Sequence, residues 1–265
     1  MGHVFSIEDC ERLARWYETP RGASVLAVER QCLGRVWAPP APQDVLEVGC
    51  GTGAFLSWFA SLGHRVTGLD PSPAAVLMAS RATPAHVEVR RGSAEDLPFS
   101  DNEFDTVALL TSLEFVDHPA LALAEAARVA RRHVLLGVLN RWSPGALARR
   151  IEALFRETVL RRARFFHVFE LQSLAEGVLF SRPKTVWRTC LFLPRALLPR
   201  LAAVERLGFL QRHPFGDFIA MRIDVGPSLL ALSDPLPHTV AARPRPCGAE
   251  RSGNLRTAAP KEARP

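Results

Sequence analysis

Lysine is nearly absent from this chain of 265 residues, because only Lys184 and Lys261 occur among 33 basic side chains. The basic residues are therefore almost all arginine. We interpret this first as a bias in codon usage and only second as a sign of a basic binding surface. The net charge of +6 is also divided along the chain, since residues 227–265 hold six basic and three acidic residues and so carry +3 of it. Nucleic-acid-binding proteins concentrate positive charge on one face. We expect no stable binding to nucleic acid.

Cysteine is sparse and scattered. The five residues of this type form no C-x-x-C pair, and they are Cys10, Cys32, Cys50, Cys190 and Cys247. An odd, dispersed set argues against a disulfide framework and against a zinc site. We expect a reducing compartment and no metal site.

Long apolar runs are also missing. None approaches the ~18 residues that span a bilayer, and the first residues have no signal-peptide pattern. We therefore expect no membrane span and a cytoplasmic location. The chain is nevertheless 48% hydrophobic, which is enough to bury a large core.

Residues 6–36 have the pattern of two helices. Ser6 and Asp9 form a capping-box pair for the first, and Thr19 precedes a proline at the start of the second. From residue 44 onward, short apolar runs alternate with helical stretches. The predicted strands are residues 45–48, 65–69, 87–90, 106–110, 133–139, 184–190 and 217–223.

Alternating strands and helices are typical of crossover units with a parallel sheet between helical layers. We predict an α/β fold: a doubly wound, mainly parallel, seven-stranded Rossmann-like sheet whose last two strands pair antiparallel. Residues 1–42 would form an N-terminal helical lid and residues 43–226 the main domain. A helix predicted at residues 144–164 is rich in arginine, which fits a solvated basic face or a wall of a substrate pocket.

The end of the chain has a different composition. Residues 227–265 hold seven of the 21 prolines, and such a segment buries too little apolar surface to offset its ordering entropy. We expect a disordered tail rich in proline and arginine.

The most informative stretch is residues 45–53, VLEVGCGTG. It is a buried strand that runs into a glycine-rich turn and then into a helix. Glycine tolerates positive φ and has no Cβ, so a ligand can approach the backbone closely. Open α/β sheets bind ligands at this edge, outside the carboxyl ends of their strands.

Asp70 follows the second predicted strand, seventeen positions after Gly53. A carboxylate there can accept hydrogen bonds from both hydroxyls of a ribose. The same pattern also satisfies the looser fingerprint of a dinucleotide-binding enzyme. An NAD-linked oxidoreductase therefore remains an alternative at this point.

Residues 47–53, EVGCGTG, resemble the first motif of class I S-adenosylmethionine (SAM)-dependent methyltransferases. The resemblance implies SAM as the cofactor, with Glu47 near its methionine part and Asp70 on its ribose. Residues 92–99 and 101–105 are similar to the adenine-side loop in the branch that includes ubiquinone and menaquinone methyltransferases. That match implies that the Ala94 N–H faces the adenine, and Ser93 stands where the family usually has Asp or Asn.

The branch match is weaker near the fifth strand, where Arg131 and Arg132 replace the family's glycine pair. Glu95 and Asp96 are alternatives to Ser93 as the partner of the adenine amine. The resemblance as a whole implies a cofactor site formed by Glu47, Gly49, Cys50, Gly51, Thr52, Gly53, Asp70, Pro71, Ser93, Ala94, Glu95 and Thr111.

No obligatory catalytic side chain follows from this chemistry, because aligning the acceptor with the methyl group supplies much of the rate. Glu114, His118 and His167 are candidates for a general base, and Tyr17 is a candidate lid residue. The predicted function is methyl transfer to a small-molecule acceptor at oxygen, nitrogen or carbon. A non-catalytic SAM-binding regulatory protein is the remaining alternative, and the oligomeric state is not predicted.

Overall fold

The computed structural model describes residues 4–146, 162–194, 196–205 and 207–226. The helices are α1 (Ile7–Glu18), α2 (Pro20–Val36), α3 (Ala54–Ser61), α4 (Pro73–Ala82), α5 (Pro119–Val129), α6 (Val168–Leu179) and α7 (Leu198–Glu205). The strands are β1 (Asp44–Val48), β2 (Arg65–Asp70), β3 (Glu88–Arg91), β4 (Phe104–Leu110), β5 (Ala130–Leu139), β6 (Thr185–Cys190) and β7 (Phe218–Asp224).

The seven strands of the described residues form one sheet in the order β3-β2-β1-β4-β5-β7-β6. Strands β1 to β5 pair in parallel, whereas β7 runs antiparallel to both β5 and β6. The doubly wound, mainly parallel fold predicted from the sequence is confirmed. The strand order reverses between β1 and β4, and such a position forms a ligand crevice at the carboxyl edge of the sheet.

Two hydrophobic clusters cover the faces of the sheet. One includes α5 and α6 packed on the central strands, and the other includes α2, α3 and α7. The central strands are buried on both faces, which explains their continuous apolar runs. No helix among the described residues combines the length and the apolar character required to cross a bilayer.

The N-terminal helices begin where the sequence predicted. The Ser6 hydroxyl accepts the Asp9 N–H and the Asp9 carboxylate accepts the Ser6 N–H, so the capping box is complete. The Thr19 hydroxyl accepts the Gly22 N–H at the start of α2. The first cap fixes the start of α1 and the second fixes the α1–α2 corner, both through local sequence.

Some sequence predictions fall on residues that the structure does not describe, and others differ from the structure. The tail, residues 227–265, and most of the arginine-rich helix lie outside the described residues. The prediction that this helix extends to Arg164 was wrong, because the Arg164 N–H donates to the Glu114 carbonyl and Phe166 forms a bridge with Asn140. Arg131 and Arg132 lie within β5 and not in a loop before it.

Candidate functional site

The glycine-rich turn after β1 has a backbone that only glycine adopts easily. Gly49, Gly51 and Gly53 have φ values of 74°, 53° and 82°, in the left-handed region. The Gly49 and Cys50 N–H groups both donate to the Leu69 carbonyl at the end of β2, at 2.7 and 3.1 Å. The turn is therefore fixed to the neighbouring strand before any ligand binds.

The three glycines meet different surroundings. A Cβ on Gly49 would lie 2.3 Å from the Ser112 Cβ, so this position has no room for a side chain. A Cβ on Gly53 would approach Ala79 at 3.1 Å, where α3 and α4 pack. A Cβ on Gly51 would meet nothing within 4 Å. Gly51 therefore faces open space at the centre of the turn, as a backbone cradle for a ligand requires.

Asp70 lies directly against this turn. Its Oδ2 accepts the Gly51 N–H and its Oδ1 accepts the Ser72 N–H, both at 2.9 Å. Burial raises its pKa, and these two backbone donors partly offset the effect. An ionised carboxylate has about four acceptor positions, so both oxygens retain capacity for further donors.

Glu47 is almost completely buried at the base of the turn, with 1% of its surface exposed. Its Oε2 has no hydrogen-bond partner within the described residues. Burial raises the pKa of Glu47 well above its usual range, Asp70 raises it further, and Arg30 opposes the shift. A buried acceptor without a donor is costly, and a cationic donor placed beside it would remove that cost.

Helix α2 brings Arg30 to the same region. The Arg30 guanidinium donates from Nη2 to the carbonyl of Ala54, the first residue of α3, at 2.5 Å. Its Nε is buried without a partner among the described residues. Burial lowers the pKa of Arg30, opposed by nearby Tyr17, Glu29 and Glu47. The sequence did not identify Arg30, because nothing in the local pattern of α2 distinguishes it from Arg35.

Tyr17, the candidate lid residue, lies beside this cluster. Burial raises the pKa of its phenol, and the carboxylates of Glu29 and Glu47 raise it further. Its ring packs against Trp16 with the centroids 5.1 Å apart. Tyr17 is therefore placed near Glu47, at the base of the glycine-rich turn.

The first residues of the chain cross the carboxyl edge of the sheet. The Phe5 carbonyl accepts the Ser72 hydroxyl at 2.7 Å, and the Phe5 ring meets Phe115 edge to face at 5.2 Å. Cys10 of α1 is fully buried, and burial together with nearby Asp70 raises its pKa to about 11. The N-terminal segment thus contacts the loops after both β2 and β4.

The loop after β3 is organised by its own polar side chains. The Ser93 hydroxyl accepts the Glu95 N–H at 3.2 Å, and Ser93 bridges to Asp96. The Glu95 carboxylate accepts the His118 N–H at 2.5 Å. Glu95 is therefore already engaged, whereas Asp96 is exposed. Ala94 is half-buried against the core.

The remaining cofactor-site candidates lie on the same edge. Thr52 is buried within the glycine turn, and Pro71 is half-buried beside Asp70. Thr111 follows β4 with a φ of 51°, and its N–H donates to the Gly137 carbonyl of β5 at 2.6 Å. A positive φ at a threonine is uncommon, and here it turns the chain away at the end of β4.

The three base candidates have different environments. Glu114 is buried, and its Oε1 accepts the Leu139 N–H at 2.7 Å, which anchors the end of β5. His118 is exposed at the start of α5. The His167 Nδ1 accepts the Glu170 N–H at 3.1 Å, and its ring stacks on Trp142 at 4.3 Å. Glu114 and His167 therefore have structural contacts that account for their positions.

Metal ligands are not assembled in the described part of the chain. No group of three or more His, Cys, Asp or Glu side chains there is arranged to hold an ion. The four described cysteines, Cys10, Cys32, Cys50 and Cys190, are free and buried.

Comparison with known proteins gives a consistent class. A family described as "Methyltransferase domain" matches residues 46–136. This range contains the glycine turn, Asp70, strand β4 and the loop that follows β3. A solved SAM-dependent methyltransferase from Thermotoga maritima superposes with a TM-score of 0.63 at 26% identity, covering 82% of this chain and 96% of that one. The resemblance to class I SAM-dependent methyltransferases is thereby confirmed.

Two curated relatives make the similarity more specific. A ubiquinone biosynthesis O-methyltransferase from Alkalilimnicola ehrlichii is 39% identical over 117 residues, which are 42% of this chain and 46% of that protein. A ubiquinone/menaquinone biosynthesis C-methyltransferase from Rubrivivax gelatinosus is 31% identical over 128 residues, 48% of this chain and 51% of that protein. The chain spans about half the length of these curated relatives.

Proposed function

We propose that this protein binds SAM at the carboxyl edge of β1 and β2 and transfers its methyl group to a small-molecule acceptor. The observation that carries the proposal is the pairing of Gly51 and Asp70: an open glycine backbone beside a carboxylate with free acceptor capacity. That arrangement suits a nucleoside, whose ribose offers two hydroxyl donors. The sulfonium of the cofactor supplies an activated methyl group.

The described residues fit the separate parts of the cofactor. Asp70 would accept from the ribose hydroxyls, and the Ala94 N–H would face the adenine. Glu47 would accept from the ammonium of the methionine part, because its Oε2 is buried and has no donor among the described residues. Arg30 would bind the carboxylate of the same part, since an arginine is the usual partner of a carboxylate. The zwitterion thus meets one charge of each sign.

The proposed acceptor is a quinone-related or phenolic small molecule that is methylated at oxygen or carbon. The support is the similarity to the two quinone-biosynthesis methyltransferases. Alignment of the acceptor with the methyl group supplies roughly 7–11 kcal/mol of barrier lowering. We assign no obligatory base: Glu114 and His167 are occupied by structural contacts, and His118 would act only if the acceptor reaches the surface beside Glu95.

We also propose that residues 1–42 act as a lid, based on the contacts of Phe5, Cys10 and Tyr17 around the site. A cytoplasmic location is proposed from the free cysteines. The comparisons give no support to an NAD-linked oxidoreductase or a non-catalytic regulatory protein, and we do not pursue either.

Ligand binding tests the proposal directly. Saturating S-adenosylhomocysteine should raise the thermal unfolding midpoint, because a ligand of the native state stabilises it by mass action, whereas NADH should not. Radiolabelled methyl transfer from SAM to a panel of catechols, hydroquinones and amines would then identify the acceptor class. Stabilisation by NADH and not by S-adenosylhomocysteine would contradict the cofactor assignment.

A further inference from the structure

The connection between β6 and β7 has an unusual surface. Fourteen large hydrophobic side chains are prominently exposed in the described part of the chain, and six of them fall between residues 197 and 215, with 38–68% of each exposed. Single exposed hydrophobic residues are common, but clusters on a soluble domain mark interaction sites. We call this set the 197–215 surface: Leu197, Leu201, Val204, Leu207, Phe209 and Phe215.

The connection is anchored to the domain. Leu198 and Glu205 of α7 are fully buried. The Glu205 carboxylate accepts the N–H groups of Leu191 and Leu193 at 2.9 and 2.6 Å. Gln211 donates to the Glu205 carbonyl at 2.7 Å. Because Leu198 and Glu205 are held in this way, the exposed apolar side chains of α7 belong to a scaffold that is fixed to the domain.

The exposed charged side chains that the structure describes in this segment are all positive. Arg200 and Arg212 are exposed among the apolar side chains, and the sequence adds Arg195 and Arg206, whose placement lies outside the described residues. Glu205 is the one acidic residue in the sequence from 195 to 216, and its carboxylate is turned inward. Exposed phenylalanine and leucine with cations, and without a facing acid, complement an anionic apolar boundary.

The surface also adjoins the edge of the sheet that holds the candidate site. The connection leaves β6 after Cys190 and enters β7 at Phe218, both at the carboxyl edge of the parallel strands. Asn140, which directly follows β5, donates to the carbonyls of Pro214 and Gly216, both at 2.7 Å. A partner bound to the 197–215 surface would therefore lie beside the same edge of the sheet that holds Gly51 and Asp70.

We propose that the 197–215 surface docks the protein on an anionic lipid bilayer, with Phe209, Phe215 and Leu201 entering the boundary between headgroups and acyl chains. Arg200 and Arg212 contact lipid phosphates. The inference goes beyond the proposed function and does not depend on it, since its evidence lies outside the cofactor site. It makes the protein a peripheral membrane protein that presents its site edge to the bilayer.

Vesicle co-sedimentation tests the proposal with the full chain. The protein should partition onto phosphatidylcholine vesicles that contain phosphatidylglycerol, and added salt should weaken the binding. Phe209→Ser should reduce the partition coefficient about tenfold or more. Arg200→Gln and Arg212→Gln should each reduce it about fivefold.

Phe180 offers a matched control, because it is 96% exposed at the end of α6 and outside the surface. Phe180→Ser should leave the partition coefficient unchanged, and unchanged unfolding midpoints would show that the variants are folded. Should Phe209→Ser lower its midpoint, the two arginine variants still decide the question. Absence of partitioning, equal partitioning onto pure phosphatidylcholine, or an equal effect of Phe180→Ser would overturn the proposal. So would a dimer in analytical ultracentrifugation that Phe209→Ser disrupts while vesicle binding is absent.

Discussion

The Gly51 N–H donates to the Asp70 Oδ2 at 2.9 Å, which ties the turn after β1 to the end of β2. This one hydrogen bond joins the two sequence features from which the cofactor site was predicted. It holds the carboxylate against the turn, so the ligand does not have to organise the site when it binds.

Asp70→Ala should reduce S-adenosylhomocysteine affinity about a hundredfold or more while the protein remains folded. The expected reason is the loss of the two charge-assisted hydrogen bonds that we propose to ribose hydroxyls, each worth about 1.5–3 kcal/mol. Asp70→Asn should have an intermediate effect, because it keeps one acceptor oxygen without the charge. Isothermal calorimetry measures the affinities and circular dichroism checks the fold. Wild-type affinity in Asp70→Ala would refute the role given to this residue.

Two glycines of the turn should respond differently to the same substitution. Gly49→Ala places a methyl group against Ser112 at a positive φ, and it should cost about 2–5 kcal/mol of stability from strain and overpacking. Gly51→Ala should cost only the backbone strain of a positive φ, about 1–2 kcal/mol of stability. Its methyl group, however, enters the open space where the ligand is expected to bind. Urea unfolding and calorimetry should show a stability defect for the first and a selective binding defect for the second. Equal ligand affinity in Gly51→Ala and wild type would argue against ligand contact at this backbone.

The α1–α2 corner can be tested with a similar pair. A Cβ on Gly22 would lie 2.0 Å from the Trp16 carbonyl oxygen, whereas a Cβ on Gly34 in the same helix would meet nothing within 4 Å. Gly22→Ala should therefore destabilise the protein by about 3 kcal/mol or more and weaken cofactor binding by displacing α1. Gly34→Ala should stabilise it by about 0.5–1 kcal/mol. Thermal and urea unfolding measure both, and destabilisation by the second variant would contradict the helix packing.

The buried carboxyl of Glu47 gives stability a pH dependence of defined sign. Because the folded pKa lies above the ordinary value of 4.5, the folded state binds more protons than the unfolded state above that pH, and the free energy of unfolding falls as pH rises. Glu47→Gln lacks the titrating carboxyl group. The variant should therefore become progressively more stable than wild type as pH is raised from 4.5 through the folded pKa of Glu47. Urea unfolding at a series of pH values tests this.

Glu125 provides the opposite sign as a control. Its hydrogen bond to Arg128 lowers the pKa of Glu125 below the ordinary value, so it stabilises the fold above 4.5 and loses that contribution as pH falls through the folded pKa. Glu125→Gln should therefore be less stable than wild type at neutral pH and equal to it in acid. The same trend in both variants would indicate that the Glu47 environment is not as described.

Arg30→Gln should reduce affinity for S-adenosylhomocysteine about tenfold or more and leave affinity for adenosine unchanged. The expected reason is the loss of one charged hydrogen bond to the amino-acid part, which adenosine lacks. Arg35→Gln, an exposed arginine on the same helix, should change neither affinity. Equal losses for both ligands would assign Arg30 a general structural role at the start of α3.

Much of this fold follows from local sequence. The apolar runs predicted all seven strands, and Ser6, Asp9 and Thr19 predicted the helix starts, because caps and periodicity act over a few residues. The contact of Phe5 with Phe115 and the bond of Arg30 to Ala54 could not be predicted in this way. Their partners are far apart in sequence, and only the packed sheet brings them together. The positive φ of Thr111 also escaped prediction, since threonine gives no signal for it.

The position of β7 has a consequence for how the chain is made. Within the described part of the chain, strand β6 pairs only with β7, and β7 is the last strand in sequence although it lies inside the sheet. Until residue 224 has left the ribosome, β6 has no neighbour and one side of β5 remains open. The spatial order of the strands therefore differs from their order of synthesis, and β5 and β6 gain their shared neighbour only after β7 has been made.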